Sequence, residues 1–364
     1  MEKFAFIVHP FTAKDFGRKF SIANHWSDGF IEGLIKYIPP FKVSHITGIE
    51  SPFSRAEGWL IGCPLTSRQM VEMPEDYVIR KIIKAGKVAE KLGAKVVGLG
   101  SFTSVVGDAG ITIAKNLNIA VTTGNSYTVA TALEGTREAA KIMGHNLAKA
   151  NVLVLGATGS IGAACAQILA REVRYLTLAA RNEGKLEKLA EQILRSTGLA
   201  VRVTANTKSA LKAADIIIAV TSAVDSIIEP EDLKPGAIVC DVARPRNVSR
   251  RVAEVRNDIL VIEGGVVEVP GQVDFGINFG FPPGMAYACM AETMTLALEQ
   301  RYENFTLGRT LTVKQVETIS HLAKKHGFKL SGFRSFERAI TPAEIAAIKA
   351  NAAASNTSQR REII

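Results

Sequence analysis

The feature that most constrains this chain is an uncharged run from Asn151 to Ala170, interrupted in its middle by Gly156, Gly159 and Gly162 in the text Gly-Ala-Thr-Gly-Ser-Ile-Gly. An apolar stretch of this length is long enough to suggest a bilayer span. Three glycines at three-residue spacing instead suit a tight turn between a buried strand, Val152 to Leu155, and a helix, Ala163 to Arg171. A residue without Cβ lets the chain turn sharply, and the helix that follows offers N–H groups and a positive dipole end to a phosphate. With another strand, Tyr175 to Ala179, coming next, the segment reads as the first βαβ unit of a doubly wound, Rossmann-type sheet. It is a variant of the usual glycine fingerprint, with Thr158 where the second glycine commonly sits. Gly156, Thr158, Gly159, Ser160, Ile161 and Gly162 are therefore candidate cofactor-binding residues, and no membrane span is expected.

The tip of the next strand selects the cofactor. An acid there would receive ribose hydroxyls, whereas an arginine accommodates a 2′-phosphate. The text runs Leu176-Thr177-Leu178-Ala179-Ala180-Arg181-Asn182, with no acid. NADPH is expected over NADH, with Arg181 on the phosphate and Lys185 adding charge. Arg181 as a plain surface residue is the alternative. Asn182, and Thr221 at the end of the Asp215 to Val220 strand, complete the cofactor candidates.

The remaining text is also α/β. Phe4 to Val8, Lys95 to Gly100 and Ile119 to Val121 read as strands, and Tyr77 to Leu92 and Tyr127 to Met143 as helices closed by Gly93 and Gly144. Such alternation implies parallel βαβ units, whose ligands sit beyond the carboxyl ends of the strands. From Phe281 the text turns helical, Met285 to Arg301 and then Val313 to His326. The expected architecture is a Rossmann-type NADP-binding domain over 150–280 and a second α/β substrate domain over 1–149, completed by C-terminal helices in 281–340. A flexible tail over 341–364 is expected to follow.

At 364 residues, 47% hydrophobic and 22% charged, the chain has the composition of a globular two-domain protein. Its net charge of +9 favours anionic partners, but the basic residues form no long run and no nucleic-acid motif accompanies them. No nucleic acid is expected. Cys63, Cys165, Cys240 and Cys289 make no CxxC pair, which argues against a zinc site or a disulfide framework and fits a reducing cytoplasm.

A cysteine is more often packing than nucleophile. Cys165 faces the sheet from the helix after the glycine turn, and Cys240 ends a strand where a nicotinamide would lie close. Cys289 follows Pro282-Pro283-Gly284 near the start of a helix, where the dipole favours a thiolate.

These residues together resemble the cyanobacterial long-chain fatty acyl-[acyl-carrier-protein] reductases. The resemblance rests on Gly100-Ser101-Phe102-Thr103-Ser104, Thr122-Thr123-Gly124-Asn125-Ser126, the glycine turn, Ala180-Arg181-Asn182, Gly264-Gly265-Val266-Val267-Glu268, Ala288-Cys289-Met290-Ala291-Glu292, Asn304-Phe305 and Gly308-Arg309. It implies that Cys289 is the nucleophile, that acyl carrier protein or acyl-CoA donates the acyl group, and that NADPH reduces the acyl-enzyme to an aldehyde for a downstream aldehyde-consuming enzyme. Thr103, Ser104, Thr123, Asn125 and Ser126 are then candidate oxyanion donors, and His9 an acid/base or a strand-end polar residue. The segment Val269 to Gly284, with Gly276, Gly280, Pro282 and Pro283, departs from the family, as does the C-terminal extension. A shikimate-type alcohol dehydrogenase and a non-catalytic NADPH sensor are the competing readings.

Overall fold

The structure is a computed structural model that describes residues 1–17, 26–223, 226–278 and 281–362; Gly280 lies outside the described residues. Two compact units form, Met1–Tyr127 with Val267–Lys329, and Thr128–Val266 with Leu330–Ile364. The division differs from the expected boundaries at three places. Val267 onward belongs with the first unit, most of the Asn125–Met143 helix with the second, and the C-terminal segment with the second.

The strands are β1 Glu2–Val8, β2 Phe41–Glu50, β3 Arg55–Gly62, β4 Val96–Leu99 and β5 Ala120–Thr122 in the first unit. In the second they are β6 Asn151–Leu155, β7 Tyr175–Ala179, β8 Arg202–Thr204, β9 Ile216–Ala219, β10 Ile238–Asp241 and β11 Leu260–Glu263. The second unit is a six-stranded sheet in the order β11-β10-β9-β6-β7-β8, all parallel. That order runs outward in both directions from the β6–β9 pair, the doubly wound Rossmann arrangement. β9, β10 and β11 are buried along their whole length because helices cover a parallel sheet on both faces, so they read as continuous apolar runs. Leu153, Ile217, Val239 and Val252 share one core with Leu211 and Leu233. The Glu183–Thr197 helix buries Leu186, Leu189 and Ile193 and ends at Gly198, whose φ of +76° a side chain would strain.

The first unit departs from pure βαβ alternation. Its sheet runs Gly271–Asp274, β2, β3, β1, β4, β5; β1, β3, β4 and β5 are parallel, and β2 is antiparallel to both its neighbours. The β2–β3 hairpin was not legible because irregularities between Lys42 and Ser44 and between Ile46 and Ile49 break the two-residue period. Its turn is held by Ser51, whose Oγ accepts from the N–H groups of Phe53 and Ser54.

Two further expectations are corrected. Met285–Tyr287 is a strand, and the helix expected from Met285 to Arg301 is Ala288–Leu298. The segment after Thr341, expected to be flexible, is the Pro342–Glu362 helix. It buries Ile345 and Ala352, and within its unit Lys349 Nζ donates to Ile142 O and Asn351 Nδ2 to Asn257 O. Thr341-Pro342-Ala343-Glu344 starts it: the Glu344 carboxylate accepts from Thr341 N, and Thr341 Oγ1 accepts from Glu344 N. An alanine-rich stretch behind such a cap has high helix propensity, and the docked face adds the packing that makes it stable. Among the described residues no helix is long and apolar enough to cross a membrane.

Candidate active site

In the second unit the strand order reverses between β6 and β9, and the glycine turn sits at the carboxyl end of β6. Gly156 has φ +87°, and a Cβ there would stand 2.8 Å from Val220 O and 3.0 Å from Thr221 N. Its N–H and that of Ala157 donate to Ala179 O at 2.8 and 3.2 Å, tying the turn to the end of β7. At Gly162 a Cβ would lie 2.4 Å from Gly156 O, so helix and turn are as close as two backbones can pack. Gly159 differs. It is exposed, its φ is ordinary, a Cβ there would meet nothing nearer than Gly156 O at 3.4 Å, and it precedes the Ser160–Leu169 helix without a side-chain cap. Thr158, Ser160 and Ile161 are half-buried around the same turn. A glycine N-cap in the turn after a buried strand, with no side-chain cap hydrogen bond, suits a dinucleotide diphosphate.

The remaining cofactor candidates divide. Arg181 is exposed just beyond the end of β7. Asn182 caps the helix that follows, its Oδ1 accepting from Lys185 N at 2.9 Å, so its side-chain oxygen has a structural task. Thr221 donates from both N and Oγ1 to Asn247 Oδ1, each at 3.0 Å. Asn247 was not singled out from sequence; it is fully buried, and its Nδ2 has no hydrogen-bond partner.

In the first unit Cys289 is the second residue of the Ala288–Leu298 helix and half-buried, whereas Cys63, Cys165 and Cys240 are fully buried. Burial pushes the Cys63 and Cys240 thiols up to about 12 and raises that of Cys165 as well. Cys240, expected from its strand-end position to lie toward a nicotinamide, is packed with its Sγ 3.8 Å from Ala132 O, and a Cβ on Gly264 would come within 2.9 Å of that sulfur. Facing Cys289 is Gly124 with φ +73°, where a Cβ would fall 2.3 Å from the Cys289 Cα and 2.4 Å from its Cβ. Backbone alone fits between the β5 loop and the thiol-bearing turn.

One turn further along the same helix lies Glu292, fully buried. Its carboxylate accepts from Thr122 Oγ1, from Ser126 Oγ at 2.6 Å, from Tyr127 N at 2.9 Å and from Thr306 Oγ1 at 2.9 Å. Burial raises the pKa of Glu292, and these donors oppose the rise.

The candidate oxyanion donors fare unequally. Thr103 Oγ1 donates to Gly100 O at 2.7 Å, Ser104 Oγ to Ser101 O at 2.6 Å, and Ser126 Oγ to Glu292. As folded, the Thr103 and Ser104 protons stabilise their own turn and the Ser126 proton is held by Glu292, so a role toward substrate would require those bonds to be given up. Asn125, buried, opens the Asn125–Met143 helix next to Gly124. Thr123 Oγ1 is buried without a hydrogen-bond partner, while its N–H donates to Thr306 O at 2.9 Å.

His9 is engaged at both ring nitrogens. Nδ1 lies 3.0 Å from Pro10 O, and Nε2 accepts from Phe102 N at 3.3 Å, which anchors the Ser101–Ser104 turn. Desolvation lowers its pKa to about 4, so the imidazole is neutral near pH 7 and poorly suited to shuttle protons there. The unfolded chain then binds more protons at this site between pH 6.5 and about 4, and stability falls as pH drops through that window. Melting temperatures measured across it should show a shallower acid slope in His9→Gln than in the parent; equal slopes would remove His9 as the cause. Among the described residues no cluster of His, Cys, Asp and Glu could hold a metal ion.

Comparison with known proteins places the chain in a family. The shikimate/quinate 5-dehydrogenase family matches residues 137–262, inside the second unit. The long-chain acyl-[acyl-carrier-protein] reductase of Synechococcus elongatus is 32% identical over 306 residues, which cover 80% of this chain and 87% of that protein. The chain belongs to this acyl-carrier-protein reductase family. The aminotransferase PigE of a Serratia strain is 31% identical over 85% of this chain, but the chain spans only 36% of that longer protein. Glutamyl-tRNA reductase of Methanosarcina barkeri is 34% identical over 121 residues, 30% of this chain and 26% of that enzyme. The reductase relative is thus matched across both units, whereas the shikimate-type match is confined to the second.

Proposed function

We propose that this member of the reductase family converts a long-chain acyl thioester, carried by acyl carrier protein or CoA, to a fatty aldehyde through an acyl-enzyme on Cys289. The observation that carries the reading is the setting of that thiol. It is the one cysteine of the four that is not buried, it lies in the first turn of an 11-residue helix, and the backbone of Gly124 is packed against it. Aligned peptide dipoles at a helix start favour thiolate over thiol.

In the proposed reaction the Cys289 thiolate attacks the thioester carbonyl and forms a new C–S bond, the bond to the carrier sulfur breaks, and the carrier leaves as a thiolate that takes a proton from water. Dividing the reaction into acylation and reduction is what a covalent nucleophile accomplishes. When bound, NADPH would supply the hydride; Cys289 would then release the reduced acyl group as an aldehyde and return as thiolate. Gly156, Thr158, Gly159, Ser160, Ile161 and Gly162 would hold its diphosphate, Thr221 would lie near the same turn, and Arg181 would meet the 2′-phosphate. Of the oxyanion candidates, Asn125 follows directly on Gly124, whose backbone is packed against Cys289, and would be the side chain presented to the acyl oxygen. The net charge of +9 suits an acidic carrier protein as donor.

The test is intact-mass spectrometry after mixing with a panel of acyl thioesters in the absence of NADPH. An increase equal to the acyl group is expected, lost on adding NADPH with release of aldehyde; no adduct with any chain length or carrier would end the proposal. The cofactor assignment has its own check. Arg181→Ala should weaken NADPH binding by about tenfold or more while leaving NADH nearly unchanged, because only the former carries the phosphate. Equal losses for both would place Arg181 outside the phosphate site.

A further inference from the structure

We propose that Glu292 is the positioning residue for Cys289: its carboxylate caps the Asn125–Met143 helix from a different helix, because Gly124 is barred from doing so. The inference rests on the reading of Cys289 as nucleophile.

Gly124 immediately precedes Asn125, the first residue of that helix, and so stands where Ser, Thr, Asp or Asn would ordinarily accept from the second or third helical N–H. No such side chain fits, since a Cβ would fall 2.3 Å from the Cys289 Cα. The third N–H of the helix, that of Tyr127, donates instead to Glu292 Oε2 at 2.9 Å. Glu292 lies three residues after Cys289 on the thiol's own helix, so capping one helix also fixes it to the other.

The other three donors tighten the same loop. Thr122 Oγ1 gives its proton to Glu292 and receives the N–H of Gly124 at 3.4 Å and that of Thr306 at 3.3 Å. Ser126 and Thr306 donate from either side, their hydroxyl oxygens 3.0 Å apart. With three hydroxyls and one N–H converging, the site fits a four-acceptor carboxylate and not a group that carries N–H bonds of its own. Glutamine has the same shape and fails in both orientations. Its NH2 group would face either the Tyr127 N–H or Thr122 Oγ1, whose lone pairs already receive two N–H groups. The Gly124 backbone would then lose its fixed distance to Cys289.

The test compares Glu292→Gln with the parent in full-length protein, using a long-chain acyl-CoA without NADPH and following the adduct by mass. The acylation rate constant per reactive site should fall about tenfold or more, the size expected when a reacting group is misplaced by a fraction of an ångström. NADPH binding, carried by the other unit, should be unchanged. A merely structural role predicts something different: fewer chains react, and those that do react at the parental rate. Either that result or a parental rate in all chains overturns the proposal. Ser126→Ala and Thr306→Val each remove one donor and should slow acylation to a lesser degree; parental rates in both overturn it even if Glu292→Gln does not fold. Absence of any adduct in the parent would instead remove the Cys289 reading and this inference with it.

Discussion

Cys289→Ala is expected to abolish the acyl adduct and to lower aldehyde formation by at least about a thousandfold, with NADPH binding and thermal stability close to those of the parent. No second thiol can take over. Cys63, Cys165 and Cys240 are fully buried, and desolvation raises all three thiols, Cys63 and Cys240 to about 12, so essentially no thiolate exists at those sites near pH 7. Cys289 is half-buried and its removal deletes a single sulfur, which limits the packing penalty. Stopped-flow acylation and steady-state aldehyde assays measure the two effects. An adduct that persists in the alanine variant would move the nucleophile elsewhere, and turnover at the parental rate without an adduct would point to direct hydride transfer.

Gly124→Ala is the other large effect, and here stability and chemistry fall together. The left-handed conformation, φ +73°, costs a side chain about 1–2 kcal/mol, and the forced overlap with the Cys289 backbone adds about 1–3 kcal/mol. Gly198→Ala provides the reference: it has φ +76° with nothing within 4 Å of the added carbon, so it should show only the first of these costs. Urea unfolding should therefore separate the two variants by about 1–3 kcal/mol. In Gly124→Ala the acylation rate should also collapse, because relief of the overlap requires the thiol-bearing turn to move. Equal destabilisation of the two variants would mean that the loop yields easily and that the close approach to Cys289 has no energetic weight.

Legibility in the sequence varied with the range of the interactions concerned. The glycine turn, the Gly93 and Gly144 stops and the Val313–His326 helix depend on local backbone conformation and on a period of 3.6 or 2, so they can be read in order along the text. Thr341-Pro342-Ala343-Glu344 is equally local, a cap that opens a helix where the Ala-, Asn- and Ser-rich composition alone suggests a flexible tail. The β2–β3 hairpin was hidden by its irregular register.

Site roles were harder. Thr103, Ser104 and Ser126 look alike as loop hydroxyls, and only their partners show that each proton already has an acceptor. Asn247, which holds Thr221 from 26 residues away, carries no pattern at all.

By itself, the order of residues determined a parallel, doubly wound sheet, an arginine and no acid after its second strand, and a thiol close to a helix start. Tertiary structure decided which of four sulfurs escapes burial, that Gly124 must lack a side chain, and that Glu292 gathers Thr122, Ser126, Tyr127 and Thr306 around one carboxylate. The physical reason is that backbone preference acts between near neighbours, whereas burial and hydrogen-bond partnership depend on which distant segments the fold brings together.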